Sequence, residues 1–182
     1  SSFSEADSMG FNMLRFGLYL ERNEMPVTGI LTGENNETSF SWAEREHLDL
    51  VIFNLKNKVE ALRFLKKQYN INPDEILFIF DDILDLSLAK EVGLRFLVNR
   101  NANPFFIKYC KTHKLCDYIT YSDGNNHAVR EVSELCLKLM GKFDETIEKR
   151  MEFTGDYQPY LEQRNDISTE IITLRDGMPV SR

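Results

Sequence analysis

Long apolar runs are missing from this 182-residue sequence, and so is any excess of positive charge. Its longest apolar run is only a few residues, far short of the roughly 20 that a membrane-spanning helix needs. No membrane-spanning segment is therefore expected. With 22 Lys and Arg against 29 Asp and Glu, the net charge is −7. A chain of that sign gains nothing from general attraction to a phosphate backbone, so nucleic acid is not expected as a partner. Cysteine is scarce. Cys110, Cys116 and Cys136 form no CxxC pair and no even ladder, which argues against a disulfide framework and reads as reduced thiols in a cytoplasmic protein. Cys110 and Cys136 fit apolar helix faces and are expected to be buried. The start, SSFSEADSMGF, has neither an initiator Met nor a basic region followed by an apolar one. No secretory signal is expected, and the chain is expected to be processed, tagged or incomplete. There is no internal repeat and no low-complexity segment.

What is present is an alternation of short apolar runs with helical stretches. Strands are predicted at 26–31, 49–55, 75–80, 94–98 and 117–121, and helices at 36–48, 57–70, 84–93, 104–115 and 128–141. The helix at 57–70 is amphipathic, with Val59, Leu62, Leu65 and Tyr69 on one side. Asn72-Pro73-Asp74 breaks the chain before the third strand, and Gly93 ends the short helix that follows it. Strands separated by helices of this length mean βα units, hence an α/β fold. The expectation is a three-layer, Rossmann-like parallel sheet with helices on both faces and no large cap domain. A helix is expected at 5–24, beginning near Asp7 or Ser8, and charged helical sequence at 143–166, broken by Gly155 and Pro159. Residues 1–150 read as the core. Residues 151–182 read as a C-terminal helical and extended arm, either packed on another subunit or loose, ending in a β run that turns at Asp176-Gly177.

In parallel sheets of this kind, ligands bind beyond the carboxyl ends of the strands. The segments just past each strand are Thr32-Gly33-Glu34, Asn54 to Lys58, Asp81-Asp82, Asn99-Arg100 and Ser122 to His127. Asp81, Asp82 and Asp85 stand out, because an apolar strand runs straight into them. Hard carboxylate oxygens at a strand end suit Mg²⁺, and neighbouring carboxylates repel unless a cation lies between them. The plainer reading is that Asp82 or Asp85 only caps the helix. Thr32 and Gly33 offer a hydroxyl and a backbone N–H to an anion, or else form an ordinary turn. Lys58, with Lys56 as a competitor, could pair with phosphate, or else be a solvated lysine at a helix end.

The order Thr, then Lys, then an Asp pair, each after a successive strand, resembles the haloacid dehalogenase superfamily. Within it, the chain is most similar to the small C0-type sugar-acid phosphatases of the octulosonate and nonulosonate type. FSEADSMGF resembles their F-x-x-x-D-x-x-G stretch, VTGILTGEN their second motif, NKVEAL their third, IFDDILDLSLAKEVGLRFLV their fourth, and AVREVSELCLKLMGKFDE their last helix. The resemblance covers roughly residues 3–147. It implies an Mg²⁺-dependent phosphatase acting on a sugar-acid phosphate monoester through an aspartyl-phosphate, in a homo-oligomer, a tetramer in similar family members. It implies that Thr32 and Lys58 clamp the phosphate and that Asp81, Asp82 and Asp85 serve the metal. Gly33, Glu34, Arg45, Asp7, His127 and Arg130 would bind substrate. Glu34 looks like the nonulosonate branch, where the octulosonate branch more usually has Arg.

Three departures stand out. Phe80 replaces the Gly of the fourth motif. SDGNNHAVRE replaces a Gly-rich loop. The first motif, a strand ending in D-x-D-G whose first Asp is the nucleophile, is absent and is expected upstream of Phe3. IITLRDG has Leu174 at the nucleophile's place, so it is no substitute. The alternative is a nucleophile-less scaffold or regulatory module. A response-regulator-like receiver domain fits less well, because its acidic pair should precede the Thr and Lys.

Overall fold

The computed structural model describes residues 4–153 and 155–182. Phe3, the first residue of the F-x-x-x-D-x-x-G stretch, lies outside them. Helix α1, Glu5–Arg22, starts at the expected residue, with Ser4 rather than Asp7 or Ser8 as its N-cap. The Ser4 hydroxyl accepts from the Asp7 N–H, and Asp7 reaches back to the Ser4 N–H, a capping box. The βα alternation then follows: β1 Gly29–Leu31, α2 Glu37–Arg45, β2 Leu50–Ile52, α3 Glu60–Tyr69 and β3 Leu77–Phe80. A 3-10 turn, Ile83–Asp85, leads into the short α4, Leu86–Ala89, then β4 Leu94–Asn99, α5 Pro104–Thr112, β5 Tyr118–Asp123 and α6 Ala128–Leu139. After α6 come α7 Phe143–Glu152, α8 Tyr157–Asn165, β6 Glu170–Arg175 and β7 Met178–Ser181.

The strands form two sheets rather than one. The first has the order β1-β2-β6-β7 and the second the order β3-β4-β5. All pairings are parallel except β6 with β7. Among the described residues, strand β1 pairs only with β2, and β3 only with β4, so each presents an open edge. Burial reflects this. In β2, Leu50, Val51 and Ile52 are all buried, whereas Ile30 and Leu31 of β1 and Leu77, Phe78 and Ile79 of β3 are only half-buried despite equal apolarity.

Each sheet is covered on both faces, as near-continuous apolar strands require. Alternate residues of β2 and the Phe53 that follows it divide between two cores: Val51 and Phe53 pack with Phe40, Trp42 and Ala43 of α2, while Leu50 and Ile52 pack with Ala61 and Phe64 of α3. In the second sheet, Phe96 packs with Met13 and Leu14 of α1 and with Val132, Cys136 and Leu137 of α6. Phe80 and Leu97 face Ala89, Cys110 and Leu115 on the other side. Cys110 and Cys136 are thus both buried, and burial pushes the Cys136 thiol up to about 11. Helix α1 serves both sheets, because Phe11 joins the α2 core while Met13 and Leu14 join the α6 core.

Helix α8 and strand β6 pack on the chain's own core. Tyr157 and Tyr160 of α8 pack on Phe16 and Tyr19 of α1, the Tyr160 hydroxyl donates to the Asn12 carbonyl at 3.1 Å, and Ile172 of β6 is buried beside β2. Asp176 and Gly177, with φ of 51° and 74°, make the predicted turn between β6 and β7.

Two contacts hold α6 in register. Gly10 lets α1 approach α6 so closely that an added Cβ would lie 2.8 Å from the Arg130 Cα. The Glu131 carboxylate accepts from the Tyr121 and Ser122 N–H groups, each at 2.7 Å, and from the Tyr118 hydroxyl at 2.8 Å. Burial pushes the Glu131 carboxyl up, but these hydrogen bonds outweigh it and hold it below the usual carboxylate range.

Replacing Gly10 with Ala adds helix propensity of about 1 kcal/mol but forces backbone apart, which typically costs about 1–3 kcal/mol. Gly10→Ala is therefore expected to lower the melting temperature by a few degrees, read by circular dichroism. A depressed carboxylate stabilises above its unfolded pKa, and that contribution is lost as pH falls through the folded value. Glu131→Gln should cost about 1–3 kcal/mol near neutral pH, and the gap from the wild type should close as pH is lowered below about 4. Denaturant titrations at several pH values check it.

Candidate active site

The C-terminal ends of β1, β2 and β3 deliver the three signals read from the sequence. Thr32 follows β1, and it is tied to β2 by its N–H on the Ile52 carbonyl at 2.9 Å and its carbonyl on the Leu55 N–H at 3.0 Å. Its hydroxyl lies 3.3 Å from both the N–H and the carbonyl of Glu34, so Thr32-Gly33-Glu34 is a local turn with its ligand-like atoms at the surface. Gly33 meets nothing closer than the Leu55 carbonyl, 3.8 Å from where a Cβ would stand.

Lys58 precedes α3, in the turn that Asn54 opens with a left-handed φ of 53°. The Lys58 ammonium forms an ion pair with the Asp85 carboxylate, and both side chains are largely buried, 13% and 6% exposed. This pair joins the first sheet to the second, since Lys58 belongs to the β2–α3 turn and Asp85 to the turn after β3. The second oxygen of Asp85 accepts from the Asp81 and Asp82 N–H groups, both at 3.2 Å. Asp85 is therefore turned inward, and it organises the loop through Lys58 and two backbone amides. Asp82 caps the 3-10 turn, accepting from the Ile83 N–H at 2.7 Å, which matches the capping alternative. Asp81 is paired with the Arg100 guanidinium, and both side chains remain well exposed. Arg100 lies just past β4, among the segments flagged beyond strand ends, yet its pairing with Asp81 depends on the β3–β4 register, which local sequence does not carry.

Among the described residues, no three His, Cys, Asp or Glu side chains gather as a metal-holding group. Asp81, Asp82 and Asp85 share one loop without converging on one point. Phe80, in place of the motif's Gly, is buried and stacks on Phe78 with ring centroids 5.6 Å apart. Its ring thus turns into the apolar core.

The remaining predicted binders form a second group. Asp7 is 3% exposed and accepts from the Ser4 hydroxyl at 2.8 Å and the Arg130 N–H at 3.1 Å. His127, at the start of α6 with a φ of 65°, places Nδ1 2.7 Å from the Ser4 hydroxyl. The Arg130 side chain donates to Glu134 at 2.6 Å. Arg45 donates to Glu5, Glu46 and Ser8 at 2.8–2.9 Å, clasping α2 to α1. In this arrangement the polar atoms of Asp7 and Arg45 are taken up by packing between helices. His127, with about half its side chain exposed, is the most accessible of the group.

No family model matches the chain. The 3-deoxy-D-manno-octulosonate 8-phosphate phosphatases of Salmonella typhi and Escherichia coli K12 are each 35% identical to it over 89 residues, 49% of this chain and 44% of theirs. The chain thus spans about half the length of these curated relatives. Among solved structures, a putative haloacid dehalogenase superfamily (subfamily III A) hydrolase from Legionella pneumophila superposes with a TM-score of 0.67 at 28% identity, covering 83% of this chain and 75% of that one. The 3-deoxy-D-manno-octulosonate 8-phosphate phosphatase of Moraxella catarrhalis, in complex with a magnesium ion, a phosphate ion and the sugar acid, gives 0.65 at 28% identity, covering 81% and 77%. The parallel βα architecture, the ordered Thr32, Lys58 and Asp81-Asp82, and these likenesses agree: the chain resembles the haloacid dehalogenase superfamily and, within it, the 3-deoxy-D-manno-octulosonate 8-phosphate phosphatases.

Proposed function

We propose that this chain carries the phosphate-clamping and metal-holding half of an Mg²⁺-dependent phosphatase for sugar-acid phosphate monoesters of the octulosonate or nonulosonate type. The supporting observation is the Lys58–Asp85 pair, which brings the turn after β2 to the acidic loop after β3. An ammonium carries three N–H donors, so one can remain on Asp85 while others reach phosphate oxygens. Thr32 and Gly33 would contribute a hydroxyl and an N–H to the same phosphate. Asp85 is a positioning residue, since it aims Lys58 and fixes the backbone of Asp81 and Asp82. Asp81 and Asp82 present hard oxygens at the loop surface, a donor type that suits Mg²⁺. When bound there, such an ion would neutralise charge on the transferring phosphoryl group.

The nucleophile in this reading is an Asp on a strand seated between the open edges of β1 and β3. It would attack phosphorus to give an aspartyl-phosphate, releasing the sugar-acid hydroxyl, and water would then hydrolyse that acyl phosphate. Strand β6 does not supply it, because β6 lies beyond β2, on the far side from β1. Glu34 and His127 would select substrate. Assembly as a homotetramer and a cytoplasmic location belong to the same reading.

One observation favours the alternative, a non-catalytic scaffold. Arg100 already balances Asp81 with a cation from the chain itself.

Phosphate release from a panel of sugar-acid phosphates, with and without Mg²⁺, tests the proposal on the natural protein. Mg²⁺-dependent release is expected, and Lys58→Ala should lower kcat/KM by about 100-fold or more. If the protein carries an upstream D-x-D strand, read by intact mass and N-terminal sequencing, and yet neither binds metal nor releases phosphate, the scaffold reading stands instead. Full activity in Lys58→Ala would remove the motif assignment.

A further inference from the structure

Two cation–carboxylate pairs flank the acidic loop after β3, and they differ in kind. The Lys58 and Asp85 side chains are largely buried, whereas those of Arg100 and Asp81 are 42% and 35% exposed. The Arg100 pair is built across strands. Phe80 is in register with Leu97, so Arg100 lies two residues further past that pairing than Asp81 does, and a long side chain is needed to span the offset. The backbone around Arg100 is held on both sides. The Asn99 N–H donates to the Thr120 hydroxyl at 2.9 Å, and the Arg100 carbonyl accepts from the Asn103 N–H at 3.2 Å, just before Pro104 opens α5. From Asn99 to Leu115 there is no Asp or Glu, so its own segment offers Arg100 no other carboxylate. The Asp81 N–H is taken by Asp85 at 3.2 Å, and among the described residues the Asp81 carboxylate accepts only from Arg100.

Adjacent carboxylates such as Asp81 and Asp82 repel unless a cation stands beside them. Arg100 supplies that cation from within the chain. Asp81, Asp82 and Asp85 face one ammonium and one guanidinium, which leaves the loop with one negative charge. A divalent ion in place of the guanidinium makes the loop neutral, whereas a divalent ion added beside it makes the loop positive. Charge balance therefore favours exchange over addition. The geometry permits it. A single guanidinium nitrogen engages Asp81, so no bidentate fork locks the pair, and a solvent-screened pair is weakly held. Arg100 stays tethered at the end of β4 whether or not its guanidinium is on Asp81.

We infer that Arg100 is a tethered counter-ion that occupies Asp81 until a divalent cation displaces it, so that metal affinity at this loop is set by exchange between the two. The identity of the cation rests on the phosphatase reading, and the exchange rests on the pair itself. Metal binding is measured directly on the natural protein, by calorimetry with Mg²⁺ and by electron paramagnetic resonance with Mn²⁺. Arg100→Gln is expected to bind either ion about fivefold more tightly than the wild type, while Arg100→Lys, which keeps the charge, stays near the wild type. The gap should narrow as ionic strength rises, because the pair is exposed. Adding Arg100→Gln to Asp81→Asn should bring no such gain, which separates a paired cation from a merely nearby one. By NMR, the Arg100 Nε–H resonance should shift as Mg²⁺ is added and saturate with the calorimetric affinity. Equal metal affinity in the wild type and Arg100→Gln, or an Arg100 resonance unmoved while metal binds, would overturn the exchange and leave the phosphatase reading intact. Metal binding in Arg100→Gln but not in the wild type would support Arg100 as the resident cation and remove the Mg²⁺-dependent reading of the natural protein. Absence of metal binding from both would overturn the exchange and that reading together.

Discussion

The open edges of β1 and β3 are the constraint on which the rest of this structure depends. A parallel strand in the middle of a sheet has both rows of backbone N–H and C=O groups paired, and the buried interior penalises any that are not. Here, among the described residues, β1 and β3 each pair on one side only, and Ile30, Leu31, Leu77, Phe78 and Ile79 are correspondingly half-buried. The two sheets stay associated because α1 contributes Phe11 to one core and Met13 and Leu14 to the other, and because Lys58 reaches across to Asp85. Exposed parallel edges with apolar side chains are templates for another strand. In the proposed reading, a parallel strand seated there would end beside Thr32, Lys58 and Asp81.

The elements of this fold were largely legible in the sequence, and the tertiary joins were not. Apolar runs such as LFIF and LRFLV, bounded by Asn72-Pro73 and Gly93, announce β3 and β4 because a strand buried on both faces needs continuous apolarity. The C-terminal segment was harder. Glu170–Arg175 reads as extended, but its place beside β2 follows from contacts more than a hundred residues apart, and Tyr157 and Tyr160 carry no local sign that they will pack on Phe16. In the fold, α8 and β6 pack on the chain's own α1 and β2.

For the candidate site, the order of Thr32, Lys58 and the aspartates was readable because each follows a strand, and strand ends are where such sheets bind ligands. What each polar atom is committed to was not readable. Asp7 and Arg45 look identical in sequence whether they face a ligand or a neighbouring helix, and the structure engages both with the α1 interfaces. Glu131 has the opposite history. In sequence it is one more charged residue of a helix, yet its three hydrogen bonds fix the end of β5.

The three aspartates differ in how firmly each is held. Asp85 is buried, bound to a buried lysine and to two backbone amides, and removing either partner from such an arrangement leaves an uncompensated charge. Asp81 and Arg100 are a third or more exposed, where ion pairs contribute little and solvent screens them. Asp81 can therefore exchange its partner at small cost, while Asp85 cannot. In the proposed reading, a divalent ion would offer Asp81 twice the charge of a guanidinium in a compact sphere, so a weakly held Arg100 would not bar it. On this argument the firmness of Asp85 and the looseness of Asp81 are complementary. One fixes the loop through Lys58, and the other leaves an oxygen whose occupant can change.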